Sequence, residues 1–423
     1  MRVLFAMFEG GGNLSLILPI AARLVERGHE VRVLAGPNVR AGRPPISERF
    51  LPRIRATGAT PVVLATPAPH PFDEARFGWT PRWLDRITPN CAPLVWSRAW
   101  AEGVRDALAR APANVVAADF ILLGALAGAE AAAVPAAALV HGTWKHRPAP
   151  GIPPYGTGFL PSRSMLGRLR AAPFNALFEY RYRRDGLPPL NAARRHLGLP
   201  PLRSPFEQFD RADRVLMLSS AAFDMPPDPL PKSVRYVGAP IERAREGTWR
   251  SPWPMDDPRP LVLVSLSTLR QGQGPVMHRV LEALGQLPVR ALVTLGPSLD
   301  RSDFTAAPNT VIETFVPHDL VMPHAAAMVT QCGLGTLAKA LAFGLPLVCI
   351  PILADQPGNA ALVVVRGAGV RLSPSAPSRE IARAIMRVLS EPRLREAALR
   401  LASRLSGEDG ALNAAQELEQ MAP

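Results

Sequence analysis

Two glycine turns in this sequence stand where an apolar strand gives way to a helix, and such a turn can bring backbone N–H groups to an anion or a side chain to a reacting atom. The first is FEGGGNLSLILP, in which Gly10, Gly11 and Gly12 follow the run RVLFAM and deliver Asn13 to the start of a helix. A dinucleotide fingerprint would need a glycine at the sixth position and an acid at the end of the next strand to meet the ribose. Here the glycines are consecutive and the next strand ends Leu34-Ala35-Gly36, which argues against nicotinamide or flavin. The second turn lies in VTQCGLGTLAKALAFGLPLVCIPILADQPGNA, residues 329–360. A strand ends at Thr330, Gly333, Gly335 and Thr336 make a tight turn, and a helix begins, so free N–H groups and the helix dipole aim at one point. After the next strand, Asp355 and Gln356 set a carboxylate beside an amide, suited to the vicinal hydroxyls of a sugar. The competing reading makes Asp355 a plain helix cap.

Other reactive groups are fewer. His141 and His146 fall in LVHGTWKHRP, His141 at a strand end beside Asp119, where either could serve acid–base chemistry or be an ordinary loop histidine. Cys332 stands at a helix N-terminus, where a thiolate would be stabilised, but a nucleophilic role there rests on position alone. Cys91, Cys332 and Cys349 are odd in number with no CxxC pair, so neither a disulfide framework nor a metal site is expected, and a reducing, cytoplasmic setting fits. Trp79, Trp83, Trp96 and Trp100 read as packing for a helical subdomain or as the lining of a hydrophobic pocket.

The elements that must hold these groups alternate strand and helix. RVLFAM, EVRVLAG, PVVLA, NVVAADF, PAAALVH and RVLMLSS read as strands of a parallel sheet with helices between them. A basic, proline-rich helical insert occupies about 150–205, and the proline-dense stretch 226–259 reads as a linker without regular structure. A second alternation starts at PLVLVSLST and runs through RALVTLG, TVIETFV, AAMVTQ and LPLVCIP, ending in helices. The expected division is an N-terminal domain over 1–225, a second domain over 260–402, and a C-terminal helix over 403–423 that returns to the first. Two doubly wound α/β domains facing across a cleft is the expected architecture. At 423 residues with 48% hydrophobic and 20% charged residues, a soluble globular protein is indicated, and no apolar run suits a membrane span. The formal charge of +13 is mostly arginine spread along the chain, and only residues 163–195 concentrate it. That segment reads as a solvated face or as a peripheral membrane or anionic-ligand patch; nucleic acid is not expected, because no recognised binding module surrounds the charge.

Three stretches, LPIAARLVERGHEVRVLAG, VSLST and TFVPHDLVMPHAAAMVTQCGLGTLAKALAFGLPLVCIPILADQPGNAALVVVRGAGVRL, follow in order and spacing the pattern of one family. The chain resembles, over nearly its whole length, the GT-B glycosyltransferases of family 1, the group of UDP-glycosyltransferases and macrolide or antibiotic glycosyltransferases. The resemblance implies an N-terminal domain that binds a small hydrophobic acceptor and a C-terminal domain that binds a UDP- or TDP-linked sugar, with inversion at the sugar carbon and no further cofactor. It also implies that Val316 and His318 face the nucleotide base, that Thr268 and the Gly333-Leu334-Gly335-Thr336 turn face the phosphates, and that Asp355 and Gln356 hold the sugar. Asp119 matches an acid that orients a catalytic histidine, and Asn13 stands where that histidine is expected. His29 in RGHEV matches a scaffold position.

The departures fall at ligand-facing places. Asn13 offers neither a basic nitrogen nor a carboxylate. Gln331 and Cys332 replace a His-Gly pair, which would remove one phosphate donor and crowd the turn; Lys339 replaces a glutamate, and Ser267 a glycine. The resulting expectation is a glycosyltransferase of natural-product biosynthesis with a rearranged or missing base and weak nucleotide binding. Its alternatives are a GT-B protein turned to other chemistry and a silent partner of an active enzyme. The acceptor, the sugar and the oligomeric state are not legible.

Overall fold

The computed structural model describes residues 1–8, 12–36, 47–64, 97–241, 249–254, 256–266 and 271–422. They form two compact units, one of Met1–Pro154, Ser162–Pro240 and Glu408–Pro423, the other of Tyr155–Pro161 and Ile241–Gly407. In the first unit β1 (Arg2–Met7), β2 (Glu30–Ala35), β3 (Thr60–Val63), β4 (Val115–Asp119), β5 (Ala136–Val140), β6 (Arg214–Met217) and β7 (Val234–Tyr236) build one sheet in the order β3-β2-β1-β4-β5-β6-β7. Every pairing is parallel. Strands buried on both faces read as unbroken apolar runs, and β4 (VVAAD) and β5 (AAALV) are buried at every residue. The register sets Asp119 opposite Leu139, two residues before His141.

Helices α1 (Leu14–Glu26), α2 (Ser47–Ala56), α3 (Ser97–Arg110) and α4 (Leu123–Ala131) accompany this sheet. The composition of α4, LGALAGAEA, follows from its closeness to α3: a Cβ on Gly124 would fall 2.0 Å from the carbonyl oxygen of Ser97, and one on Gly128 2.6 Å from that of Ala101. The helical insert folds as α5 (Met165–Arg181), a π turn at Tyr182–Gly186, and α6 (Leu187–His196). It is tied to α4 by Arg194, which has no exposed surface and donates to Glu130 at 2.6 and 3.0 Å, to Gln208 at 2.7 Å and to the Pro200 carbonyl at 2.8 Å. Burial alone would raise the Glu130 carboxyl, but the hydrogen bonds from Arg194 and Gln208 prevail and hold it below its ordinary range.

The stretch 226–259, expected to lack regular structure, contains β7, and the division between the units falls at Pro240. The cause is Val234-Arg235-Tyr236, three residues without proline that extend the sheet beside β6.

The second unit holds β8 (Leu261–Ser265), β9 (Arg290–Thr294), β10 (Thr310–Glu313), β11 (Ala327–Thr330), β12 (Leu347–Cys349) and β13 (Gly369–Arg371), again all parallel, in the order β10-β9-β8-β11-β12-β13. Around it run α7 (Gly274–Gly285), α8 (Leu334–Ala342), α9 (Gln356–Val365), α10 (Ser378–Ser390) and α11 (Pro392–Leu405). Sequence reasoning missed β13, whose three residues are too few to show a period. Gly369 permits it, since a Cβ there would lie 2.2 Å from the Leu347 carbonyl oxygen on β12. The last helix, α12 (Gly410–Met421), belongs to the first unit. It is held to the end of α1 by Glu419, which accepts from Arg27 at 2.6 and 2.9 Å and lies 2.7 Å from His29, so His29 is a scaffold residue. Among the described residues no helix is long and apolar enough to cross a membrane.

Candidate functional site

In a doubly wound sheet, ligands meet the carboxyl ends of the strands where the strand order reverses. In the first unit that point lies between β1 and β4, and Asn13, Asp119 and His141 come together there, following β1, ending β4 and following β5. Asn13 occupies the cap position of α1, but its side chain makes no cap hydrogen bond. Instead its buried amide nitrogen donates to the Phe8 carbonyl at 2.9 Å and to Asp119 Oδ2 at 3.0 Å. Asp119 is wholly buried, and its Oδ1 accepts from the Ile121 N–H at 3.2 Å. The same Oδ2 lies 3.3 Å from His141 Nε2, close enough for an ion pair but off the line of a hydrogen bond, which leaves that buried nitrogen without a hydrogen-bond partner. The His141 side chain is 18% exposed and stands edge-on to Phe120 at 5.0 Å.

His146 is elsewhere in function. It is 3% exposed, wedged between Trp144 and Phe209 at 4.5 and 5.1 Å, and neither ring nitrogen has a hydrogen-bond partner. Burial, with Arg147 beside it, pushes its pKa well below the usual histidine range. It is a core histidine, not a candidate base. Sequence reasoning passed over Lys145, which is also buried, with its ammonium 5.4 Å from the Phe120 ring. Gly142 makes room for it: φ is +153° there and a Cβ would fall 2.6 Å from the lysine nitrogen. Trp100 is a core residue of this unit, whereas Trp79, Trp83, Trp96 and Cys91 lie outside the described residues.

In the second unit the order reverses between β8 and β11, and the Gln331–Thr336 turn follows β11 at that point. Gly333 is the cap residue of α8 and supplies no side chain, so the first-turn N–H groups of Leu334, Gly335 and Thr336 receive no side-chain cap from it. The Gln331 amide lies over this turn, its nitrogen 3.2 Å from the place a Gly333 Cβ would take, and its buried Oε1 has no partner. An amide still donates, so the loss of a phosphate donor expected from Gln331 does not follow. Cys332 does not crowd the turn either. Its φ is +70°, the left-handed conformation that glycine adopts freely and other residues at a cost of about 1–2 kcal/mol, and its side chain is fully buried. Burial, reinforced by the Cys349 thiol, holds the Cys332 thiol well above its ordinary range, which removes the nucleophile reading.

The loop after β12 is joined to this turn. Asn359 donates to the Cys332 carbonyl at 3.0 Å and approaches Asp355 Oδ2 at 3.4 Å. Asp355 sits at the cap position of α9 without making a side-chain cap, so the plain capping reading fails. Gln356 is buried and committed: its Oε1 accepts from the Ile352 and Leu353 N–H groups at 2.8 and 3.0 Å, and its nitrogen donates to Gln271 at 2.8 Å. After β10, Val316 is half-buried, the neighbouring Phe315 is 75% exposed, and His318 shares a 2.9 Å contact with Thr294 Oγ1. Burial and then the nearby Lys339 push His318 down to about 4. Lys339 itself is 3.9 Å from Asp319. Thr268 and Ser267 lie outside the described residues. No group of three or more His, Cys, Asp or Glu residues that could hold a metal ion occurs among the described residues.

Residues 278–421 match the family of the erythromycin biosynthesis protein CIII-like C-terminal domain. Along its whole length the chain is similar to 4'-demethylrebeccamycin synthase of Lentzea aerocolonigenes, with 30% identity over 99% of both chains. Among solved structures it is similar to the glycosyltransferase of kitacinnamycin, at 21% identity and TM-score 0.75 over 100% of this chain and 99% of that one. The glycosyltransferase VinC in complex with DTDP gives 19% identity and TM-score 0.68, over 100% and 99% of the two chains. Two parallel-sheet units, each with its candidate residues at a point of strand reversal, and similarity that runs from end to end place this chain in the GT-B glycosyltransferases of family 1, the macrolide and antibiotic group.

Proposed function

We propose that the protein is an inverting glycosyltransferase of natural-product biosynthesis that moves a sugar from a uridine or thymidine diphosphate to a small hydrophobic acceptor, with His141 as base, Asp119 as its orienting acid and Asn13 as a positioning residue. The observation that supports this most directly is the single Asp119 oxygen that meets Asn13 at 3.0 Å and His141 at 3.3 Å. An amide cannot take a proton; an imidazole can, and a carboxylate at Nε2 favours the tautomer with its proton there, leaving Nδ1 to accept. The loose contact is of the kind that tightens when substrate binds.

In the reaction an acceptor O–H or N–H attacks the anomeric carbon as its proton passes to His141, and the sugar–phosphate bond breaks with its electron pair leaving on the nucleoside diphosphate. The uncapped N–H groups of α8 suit that developing charge, Asp355 suits the sugar hydroxyls, and the exposed Phe315 suits stacking on the base. Gln356, already spent on its own loop, holds that loop in place. The bound DTDP of the VinC structure supports the donor class.

The test measures nucleoside diphosphate release from UDP- and TDP-sugars with a panel of phenolic and indolic acceptors. His141→Ala and Asp119→Asn should each lower kcat by about 10²-fold or more, while Asn13→Ala should cost about 1–3 kcal/mol of transition-state stabilisation. A His141→Ala variant within twofold of the parent, or a large gain on Asn13→His that does not need His141, would move the base elsewhere.

A further inference from the structure

Helix α5 is apolar on two opposite faces. One face is buried, through Gly167, Ala171 and Phe178. The other is open: Met165 is 79% exposed, Leu166 76%, Leu169 64% and Tyr180 58%, with Ala172, Pro173 and Ala176 exposed between them. At 100° per residue these seven side chains share an arc about 120° wide. Arg168 falls at one border of that arc and Arg170 at the other, both exposed, and Arg163, Arg183 and Arg184 are exposed beyond its two ends. No residue exposed between 163 and 184 is acidic. Glu179 is half-buried, and the half-buried Asp185 that follows is paired with Arg181 and Arg184.

A large apolar surface of this kind marks a contact rather than ordinary solvated helix. We propose that the outer face of α5 docks on a membrane surface rich in anionic lipid, with Met165, Leu166, Leu169 and Tyr180 entering the boundary below the headgroups and the bordering arginines remaining among the phosphates. An apolar arc rimmed by cations whose heads stay in the polar layer is the pattern of an interfacial helix. Charge decides against a second copy of the chain as the occupant. A two-fold contact would set this face against itself and bring Arg168 and Arg170 together with no exposed acid between 163 and 184 to answer them. The inference is independent of the transferase chemistry, since none of these residues belongs to the candidate sites.

The full chain should be sedimented with vesicles of phosphatidylcholine alone and of equal parts phosphatidylcholine and phosphatidylglycerol. Binding should be found with the anionic vesicles, fall steeply at high salt, and drop at least tenfold in Leu166→Glu/Leu169→Glu and in Arg168→Glu/Arg170→Glu. Both variants change only exposed positions, and circular dichroism together with retained transferase turnover would show that they fold. Absence of binding to anionic vesicles, or binding that both variants retain, overturns the proposal. So does concentration-dependent self-association that the leucine variant abolishes, which would give the face to a second copy.

Discussion

His146 shows how a buried titratable side chain shapes the pH response of the whole fold. Its pKa is depressed in the folded chain by burial and by Arg147, so the unfolded chain binds the extra proton near the ordinary histidine value of about 6.5. Where the unfolded state binds more protons, stability rises with pH; this contribution is therefore complete above about pH 6.5 and is lost as pH falls below it. One such group makes stability fall by about 1.4 kcal/mol for each pH unit below that point. Denaturant midpoints of the parent at pH 7.5 and 5.5 should differ accordingly, and His146→Phe, which fits the aromatic setting of Trp144 and Phe209, should remove about that much of the difference. An unchanged pH response in the variant would show that the ring is protonated in the fold. The residue also marks a limit of sequence reading. His141 and His146 share one loop and one residue type, and only the packing around them separates a side chain at a strand end from one sealed between aromatics. Cys332 is similar: its place at a helix N-terminus suggested a reactive thiolate, but its left-handed backbone turns the thiol into the core.

Elements were more legible than their connections. Strands such as VVAAD and AAALV are buried on both faces, so their composition declares them, and each ends in a turn whose polar residue then stands out: Asp119 for β4 and His141 after β5. Short edge pieces without a period, β7 and β13, escaped, because three residues carry no alternation and their place depends on the neighbouring strand. The helical insert was legible as helix, but not the device that holds it. Arg194 lies sixty-four positions from Glu130, a separation that no local pattern reports. Removing one member of a buried pair leaves the other charge uncompensated, at a cost of about 3–5 kcal/mol. Arg194→Ala should therefore lower stability by an amount of that order, strip Glu130 of the larger of the two hydrogen-bonding partners that keep its pKa down, and loosen α6 in hydrogen exchange before the β4–β5 region. The double change Arg194→Met with Glu130→Gln should recover a substantial part of the loss. Equal destabilisation by single and double variants would show that the pair acts only through packing.

At the scale of the molecule, the proposed reaction divides its chemistry between the two units: the groups proposed to move a proton belong to the first, and those proposed to hold the leaving group belong to the second. The second set was the more doubtful from sequence, since Gln331, Cys332 and Lys339 all depart from the expected pattern. The fold answers one departure fully, because the Cys332 side chain is buried, and a second in part, because the Gln331 amide nitrogen stays at the turn as a donor. Lys339, which stands where the resemblance implies a glutamate that holds the ribose hydroxyls, places a cation 3.9 Å from Asp319, beside a neutral His318. The proposed function requires that these departures leave binding of the dianionic or trianionic leaving group intact. A ligand that binds only the folded chain stabilises it by mass action, about 2.7 kcal/mol at one hundred times its dissociation constant. For a domain of this size that corresponds to roughly 5–10 °C in midpoint. Thymidine or uridine diphosphate at millimolar concentration should therefore raise the thermal transition by several degrees, inorganic phosphate much less, and Gly333→Val, which adds bulk at the mouth of the turn, should abolish the shift. Calorimetric titration then gives the affinity directly. No shift and no heat with either nucleotide would remove the donor from the proposed reaction while leaving the family and the fold untouched, and the site at Asp119 would then need a different substrate.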